Sequence, residues 1–85
     1  MPWQLELARS AEKALIRIPI RDQKHIIAAL RGMTLDPFGG DIVRLHNQPG
    51  SWRRRVGSWR VFFDLYPHRL LIVITAIKRR TSSTY

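Results

Sequence analysis

The sequence predicts an α+β fold: an N-terminal strand, a helical hairpin, then a twisted antiparallel sheet of three to four strands with the helices on one face. Three observations carry this. Apolar residues recur at helical spacing in two stretches before Leu35, and Pro19 separates them. The breaker cluster DPFGG at 36–40 ends the helical half. Strand-like runs divided by tight-turn residues follow it. With 85 residues there is room for one core, so residues 1–85 are expected to form a single domain.

Trp3, Leu5 and Leu7 alternate with Gln4 and Glu6, and this period of two marks a short opening strand. Ser10 stands where an N-cap belongs, ahead of a helix carrying Ala11, Ala14, Leu15 and Ile18. Pro19 closes that helix. Asp22 is the cap candidate for a second helix with the stripe Ile26, Ile27, Ala29, Leu30 and Met33. The two stripes want one common surface, which makes the pair a hairpin. Asp41 to Leu45 is ambiguous, a short edge strand being one reading, and HNQPGS at 46–51 reads as a loop. Strands are expected at about 52–56, 59–66 and 70–77. Gly57-Ser58 fits a two-residue turn with glycine first, and Pro67-His68-Arg69 forms the next turn. The tail KRRTSSTY is polar and expected to be extended or partly mobile.

Composition narrows the function. Apolar residues make up 45% of the chain, enough for a compact globule and against general disorder. The net charge is +9 and uneven: residues 1–42 carry +1 and residues 43–85 carry +8. A concentrated positive field suits a polyanion, a phosphate group or an acidic protein partner, the alternative being a merely solvated basic surface. No cysteine is present, which excludes a disulfide framework and thiolate chemistry and fits a reducing, cytoplasmic location. MPWQLELARS shows no signal-peptide pattern, and the apolar run LLIVITAI at 70–77 is too short to span a bilayer as a helix, so no membrane partner is expected. The sequence has no Gly-rich phosphate loop, no HExxH and no Cys/His zinc spacing, so neither cofactor nor metal is expected.

The chemistry concentrates in WRRRVGSWRVFFDLY, residues 52–66. A two-residue turn at Gly57-Ser58 sets Val56 opposite Trp59, Arg55 opposite Arg60, Arg54 opposite Val61, Arg53 opposite Phe62 and Trp52 opposite Phe63. Side chains alternate between faces. One face then holds Trp52, Arg54, Val56, Trp59, Val61 and Phe63, a core face with Arg54 as its outlier. The other holds Arg53, Arg55, Arg60 and Phe62, with Asp64 on the same side and placed to pair with an arginine. Like charges directly opposite each other cost a few tenths to about 1 kcal/mol, depending on salt. Guanidinium forks bind phosphate bidentately, and an aromatic plane stacks an unpaired base. Three arginines converging across one turn therefore read as a polyanion site, against the alternative of solvated strand arginines.

This segment resembles the RelE/ParE superfamily of bacterial type II toxin–antitoxin toxins. It has their pattern of aromatic, basic, any residue, basic, then Gly-x-aromatic-Arg and an apolar strand. The resemblance covers nearly the whole chain: the opening strand and hairpin, DPFGG ahead of Arg44-Leu45, and LLIVITAIKRRTSSTY ending in a basic cluster and a terminal tyrosine. It implies a basic concave groove on the sheet face opposite the helices. In the RelE branch that groove cleaves mRNA in the A site of the 70S ribosome. The RNA's own 2′-hydroxyl attacks the adjacent phosphate without a metal, and translation stops. In the ParE branch the partner is DNA gyrase and no RNA is cut. In either branch a cognate antitoxin wraps the toxin with a segment that folds on binding.

Position by position, the resemblance makes Arg53 and Arg55 the basic pair before the turn and Arg60 the group that neutralises the phosphate. Arg79 becomes the cation assisting the leaving oxygen, and Tyr85 a terminal ring that stacks on a base or orients the nucleophile. Trp52 sits at an aromatic position and reads equally as core. One departure stands out: Arg55 replaces the lysine common in the ribosome-dependent nucleases, and a guanidinium is a poor proton acceptor. His46, just after Leu45, is the best substitute, because an imidazole titrates near neutrality; its alternative is a loop histidine without a role. His25 and His68 read as surface residues. The first expectation is an mRNA endoribonuclease toxin. The second is a non-enzymatic gyrase inhibitor, and the third a basic nucleic-acid-binding module.

Overall fold

The computed structural model describes residues 2–46 and 51–80. In chain order they form β1 (Gln4–Leu7), α1 (Arg9–Arg17), α2 (Ile20–Leu35), β2 (Ile42–Arg44), β3 (Ser51–Val56), β4 (Trp59–Tyr66), a 3-10 turn at Pro67–Arg69, and β5 (Leu71–Arg79). The strands make one five-stranded sheet in the order β1-β5-β4-β3-β2. The sheet is larger than expected because both the opening strand and the 42–44 segment join it. It is also mixed: β1 runs parallel to β5 and every other pair is antiparallel.

The hairpin covers one side of this sheet. Ala11, Ile18, Ile26, Leu30 and Met33 pack on Val61, Phe63 and Leu65 of β4 and on Ile72, Ile74 and Ile77 of β5. Ile26, Met33, Val61, Phe63, Ile72 and Ile74 are essentially inaccessible, and each such burial contributes roughly 1.5–3 kcal/mol. Two expected cap residues serve tertiary contacts instead. Ala8 takes the N-cap position of α1, while Ser10 lies in its first turn and donates its hydroxyl to the Thr75 carbonyl at 2.8 Å. Pro19 ends α1 and itself stands at the N-cap of α2. Asp22, in the first turn of α2, accepts the Trp59 indole N–H at 3.0 Å and ties that helix to β4.

An irregularity in β5 decides what faces where. Phe62 pairs with Ala76 but Phe63 pairs with Ile74, so Thr75 is an extra residue, a β-bulge. The bulge shifts the side-chain parity by one, and Ile77 faces the helices although Ile72 and Ile74 precede it at even positions. The bulge is held in place: Ser10 donates to its carbonyl, and the Thr75 hydroxyl donates to the Phe62 carbonyl at 3.2 Å.

Arg54, the outlier on the helix side of β3, lies beneath the DPFGG loop. A Cβ on Gly40 would stand 2.7 Å from the Arg54 guanidinium, and Gly40 has φ +87°, so glycine alone fits there. Arg54 Nε is buried with no hydrogen-bond partner among the described residues. Phe38 of the same loop packs edge-on against Trp52 and Trp3, with centroids 5.5 and 6.4 Å away. Among the described residues no helix is long and apolar enough to cross a membrane.

Candidate functional site

The site is built on the sheet face that the hairpin leaves bare. Gly57 takes φ +58° in the tight turn, and the β3–β4 register is the one the turn dictates: Val56 opposite Trp59, Arg55 opposite Arg60, Arg53 opposite Phe62. Arg53 and Arg55 therefore share the open face with Arg60. Val43 of β2, opposite Arg53, joins them, as does Lys78 of β5, opposite Arg60. Beyond the end of β5, the Arg80 backbone N–H donates to the Ser58 carbonyl at 2.7 Å and continues the ladder past the turn. Arg53, Arg55, Arg60 and Arg80 line one concavity of about 140 Å³ together with Asp41 and Val43.

The sequence-predicted residues divide at this point. Arg53, Arg55 and Arg60 come together. Arg79 does not: it pairs with Trp59 on the helix side, its guanidinium carbon 5.5 Å from the Trp59 ring centroid. The Thr75 bulge is the reason. Strict alternation from Ile72 and Ile74 would aim Arg79 at the open face, and the extra residue aims Lys78 and Arg80 there instead. His46 is exposed in the turn after β2 and is not part of the basin. Arg55 donates its backbone N–H to the Asp41 carbonyl, and His46 lies five residues further along that edge, roughly 16 Å at strand spacing. Among the described residues Asp64 pairs with no arginine; it accepts the hydroxyl of Ser51, its direct cross-strand partner, at 2.8 Å. Tyr85 lies outside the described residues.

Sequence reasoning missed Asp41 and Arg80. Asp41 is the carboxylate in the basin; its sequence signal is an acid between the glycine pair and the edge strand. For Arg80 the signal was the uneven spacing of Ile72, Ile74 and Ile77, which already breaks a period of two.

A second depression, of about 290 Å³, adjoins the basin along β4 and is lined in part by Leu45, Ser51, Phe62, Ala76 and Lys78. The Lys78 ammonium lies 5.6 Å from the Phe62 ring centroid. The face thus offers guanidinium groups from two strands and the end of a third, with an aromatic ring beside them. Such groups bind a phosphodiester through charge-assisted, bidentate hydrogen bonds, and strands hold them in fixed relative geometry. Among the described residues no three histidine, aspartate or glutamate side chains gather to hold a metal ion.

No protein-family model matches this chain, and no curated protein matches it. Solved structures do. The RelE–RelB complex from Pyrococcus horikoshii OT3 aligns with a TM-score of 0.87 and 19% identity over 98% of this chain and 100% of that one. The toxin–antitoxin complex RelBE2 from Mycobacterium tuberculosis gives 0.83 and 18% identity over 94% and 100%. This chain has the RelE toxin fold. A YoeB/ParE toxin from Agrobacterium tumefaciens shares the fold as well, at 0.77 and 18% identity over 92% and 99% of the two chains. The RelE fold accounts for the strand order and for the bare sheet face on which the basin lies.

Proposed function

We propose that this protein is the toxin of a type II toxin–antitoxin module and that it cleaves mRNA on the ribosome without a metal. The observation that carries the reading is the convergence of Arg53, Arg55, Arg60 and Arg80 on one concavity. With a phosphodiester seated there, the 2′-oxygen attacks phosphorus. The new P–O2′ bond forms as the P–O5′ bond breaks, giving a 2′,3′-cyclic phosphate and a 5′-hydroxyl. Negative charge grows on the non-bridging oxygens, where Arg55 and Arg60 stabilise it. Arg53 fixes the neighbouring backbone, and most of the rate comes from positioning and charge stabilisation. The nucleophile's proton passes to an acceptor. Asp41, inside the basin, is better placed for that than His46. The leaving oxygen takes a proton on the side of Lys78 and Arg80, which assume the part expected of Arg79. Tyr85 keeps its proposed part in stacking a base or orienting the nucleophile.

A cognate antitoxin is the proposed partner. The P. horikoshii and M. tuberculosis neighbours are both toxin–antitoxin complexes. A net charge of +9 beside exposed Ile16, Ile20 and Leu35 suits an acidic, amphipathic segment that folds on binding. The proposed location is the cytoplasm, where the ribosomes are.

A second reading is a non-enzymatic, ParE-like inhibitor of DNA gyrase. It is favoured by arginine at position 55 and by the distance of His46 from the basin, which leave no imidazole at the phosphate. Induction in cells followed by mapping of message ends separates the two. Cuts inside translated codons, lost in Arg60→Ala with the fold intact, are the expected result. Intact messages with a DNA-damage response would establish the gyrase reading, and an Arg60→Ala protein that stayed toxic would defeat the nuclease mechanism.

A further inference from the structure

We infer that the open face carries a nucleobase subsite next to the basin, in which Phe62 stacks an unpaired base and Asp64 reads that base's edge. The inference rests on the RNA-cleaving reading above and adds to it the residues that choose the nucleotide.

Arg60, Phe62 and Asp64 occupy alternate positions of β4 and so share the open face. Successive members of the row are about 7 Å apart along the strand, a spacing that one nucleotide bridges from its phosphate to its base. The row therefore presents a phosphate grip, a flat apolar plane and a hydrogen-bond acceptor in the order in which a nucleotide presents their complements. Phe62 has no structural explanation in the core: it is half-buried and lies outside the helix-side cluster that holds Val61 and Phe63. It instead lines the 290 Å³ depression, together with the small Ala76 and the polar Ser51 and Lys78. The Lys78 ammonium over the ring adds positive charge where an incoming strand would run.

Asp64 supplies the selectivity. Ser51 donates to Asp64 Oδ1 at 2.8 Å and fixes the carboxylate, which accepts through both oxygens. Like Asp41 in the basin, it is an acceptor with nothing to gain from a phosphate. An acceptor at that point favours the exocyclic amino groups of adenine, cytosine or guanine. It disfavours uracil, whose ring N–H is flanked by two carbonyl oxygens that a carboxylate repels.

The test uses the full-length protein induced in translating cells, with message ends mapped for wild type, Phe62→Leu, Phe62→Tyr and Asp64→Asn, and circular dichroism to confirm that each variant is folded. The wild type should cut with uracil depleted at one position adjoining the scissile phosphate. Phe62→Leu should lower cutting about 10- to 100-fold, as expected for loss of a stacked base, and Phe62→Tyr should restore it. Asp64→Asn should lose the depletion of uracil at that position. If the wild type cuts without depleting uracil, or neither Phe62→Leu lowers the rate nor Asp64→Asn changes base preference, the subsite is refuted while the nuclease reading stands. If the wild type leaves messages intact, the nuclease reading fails and takes the subsite with it.

Discussion

Replacing Arg55 by threonine should stabilise this protein while disarming it. Arg55, Arg60 and Lys78 form one row across β3, β4 and β5, each directly opposite the next, so Arg60 has a cation on both sides. One such like-charge pair costs a few tenths to about 1 kcal/mol. Threonine removes the pair and is itself a good strand former. For a domain of this size 1 kcal/mol moves the melting temperature by about 4–8 °C, so Arg55→Thr should melt about 2–8 °C above the wild type in low salt. The gain should shrink as the Debye length falls from about 30 Å at about 0.01 M salt to about 3 Å at about 1 M. Thermal melts followed by far-UV circular dichroism at the two salt concentrations measure this directly, and induction in cells reports the loss of toxicity. The opposing effect is Asp41, which lines the same basin; an exposed pair of that kind contributes about 0–1 kcal/mol. A melting temperature that is unchanged or lower in dilute salt, or a gain that salt leaves untouched, would refute the claim that the arginine row is under electrostatic strain.

Three further outcomes are expected. Arg80→Ala should abolish toxicity, whereas Arg79→Ala should leave it and lose only the packing over Trp59; growth assays after induction compare the two. Gly40→Ala should destabilise by about 1–3 kcal/mol in urea denaturation, since alanine is strained at φ +87° and its Cβ meets the Arg54 guanidinium; adding Arg54→Ala should relieve the clash but not the strain. Phe63→Ala, at a position 1% exposed, should cost about 3–5 kcal/mol in urea denaturation.

Much of this fold is written locally in the chain. The hairpin register follows from Gly57-Ser58 and the apolar alternation of Val61, Phe63 and Leu65, both properties of neighbouring residues. Pro19 separates the helices for an equally local reason. What local reasoning misjudged depends on distant partners. Ser10 and Asp22 are good cap residues by type, but Ser10 finds the Thr75 carbonyl and Asp22 the Trp59 indole, bonds that exist only once the helices dock. The parallel pairing of β1 with β5 joins the two ends of the fold, and no short-range pattern specifies it.

The Thr75 bulge connects these points to function. A regular β5 cannot keep Ile72, Ile74 and Ile77 on one side, so the core requires an extra residue between Ile74 and Ile77. Bulges cost ladder bonds; here a hydroxyl from α1 answers the freed carbonyl, which is why Ser10 belongs in the first turn rather than at the cap. Once parity shifts to serve the core, the basic cluster after Ile77 must shift with it. Arg79 turns to the helix side, still exposed, and lies over the Trp59 ring, while Lys78 and Arg80 turn to the open face, where Arg80 completes the basin. The placement of the final cations is thus a consequence of how the apolar residues of β5 are spaced. A variant that moved Ile77 by one position would be expected to exchange the roles of Arg79 and Arg80 without altering either residue.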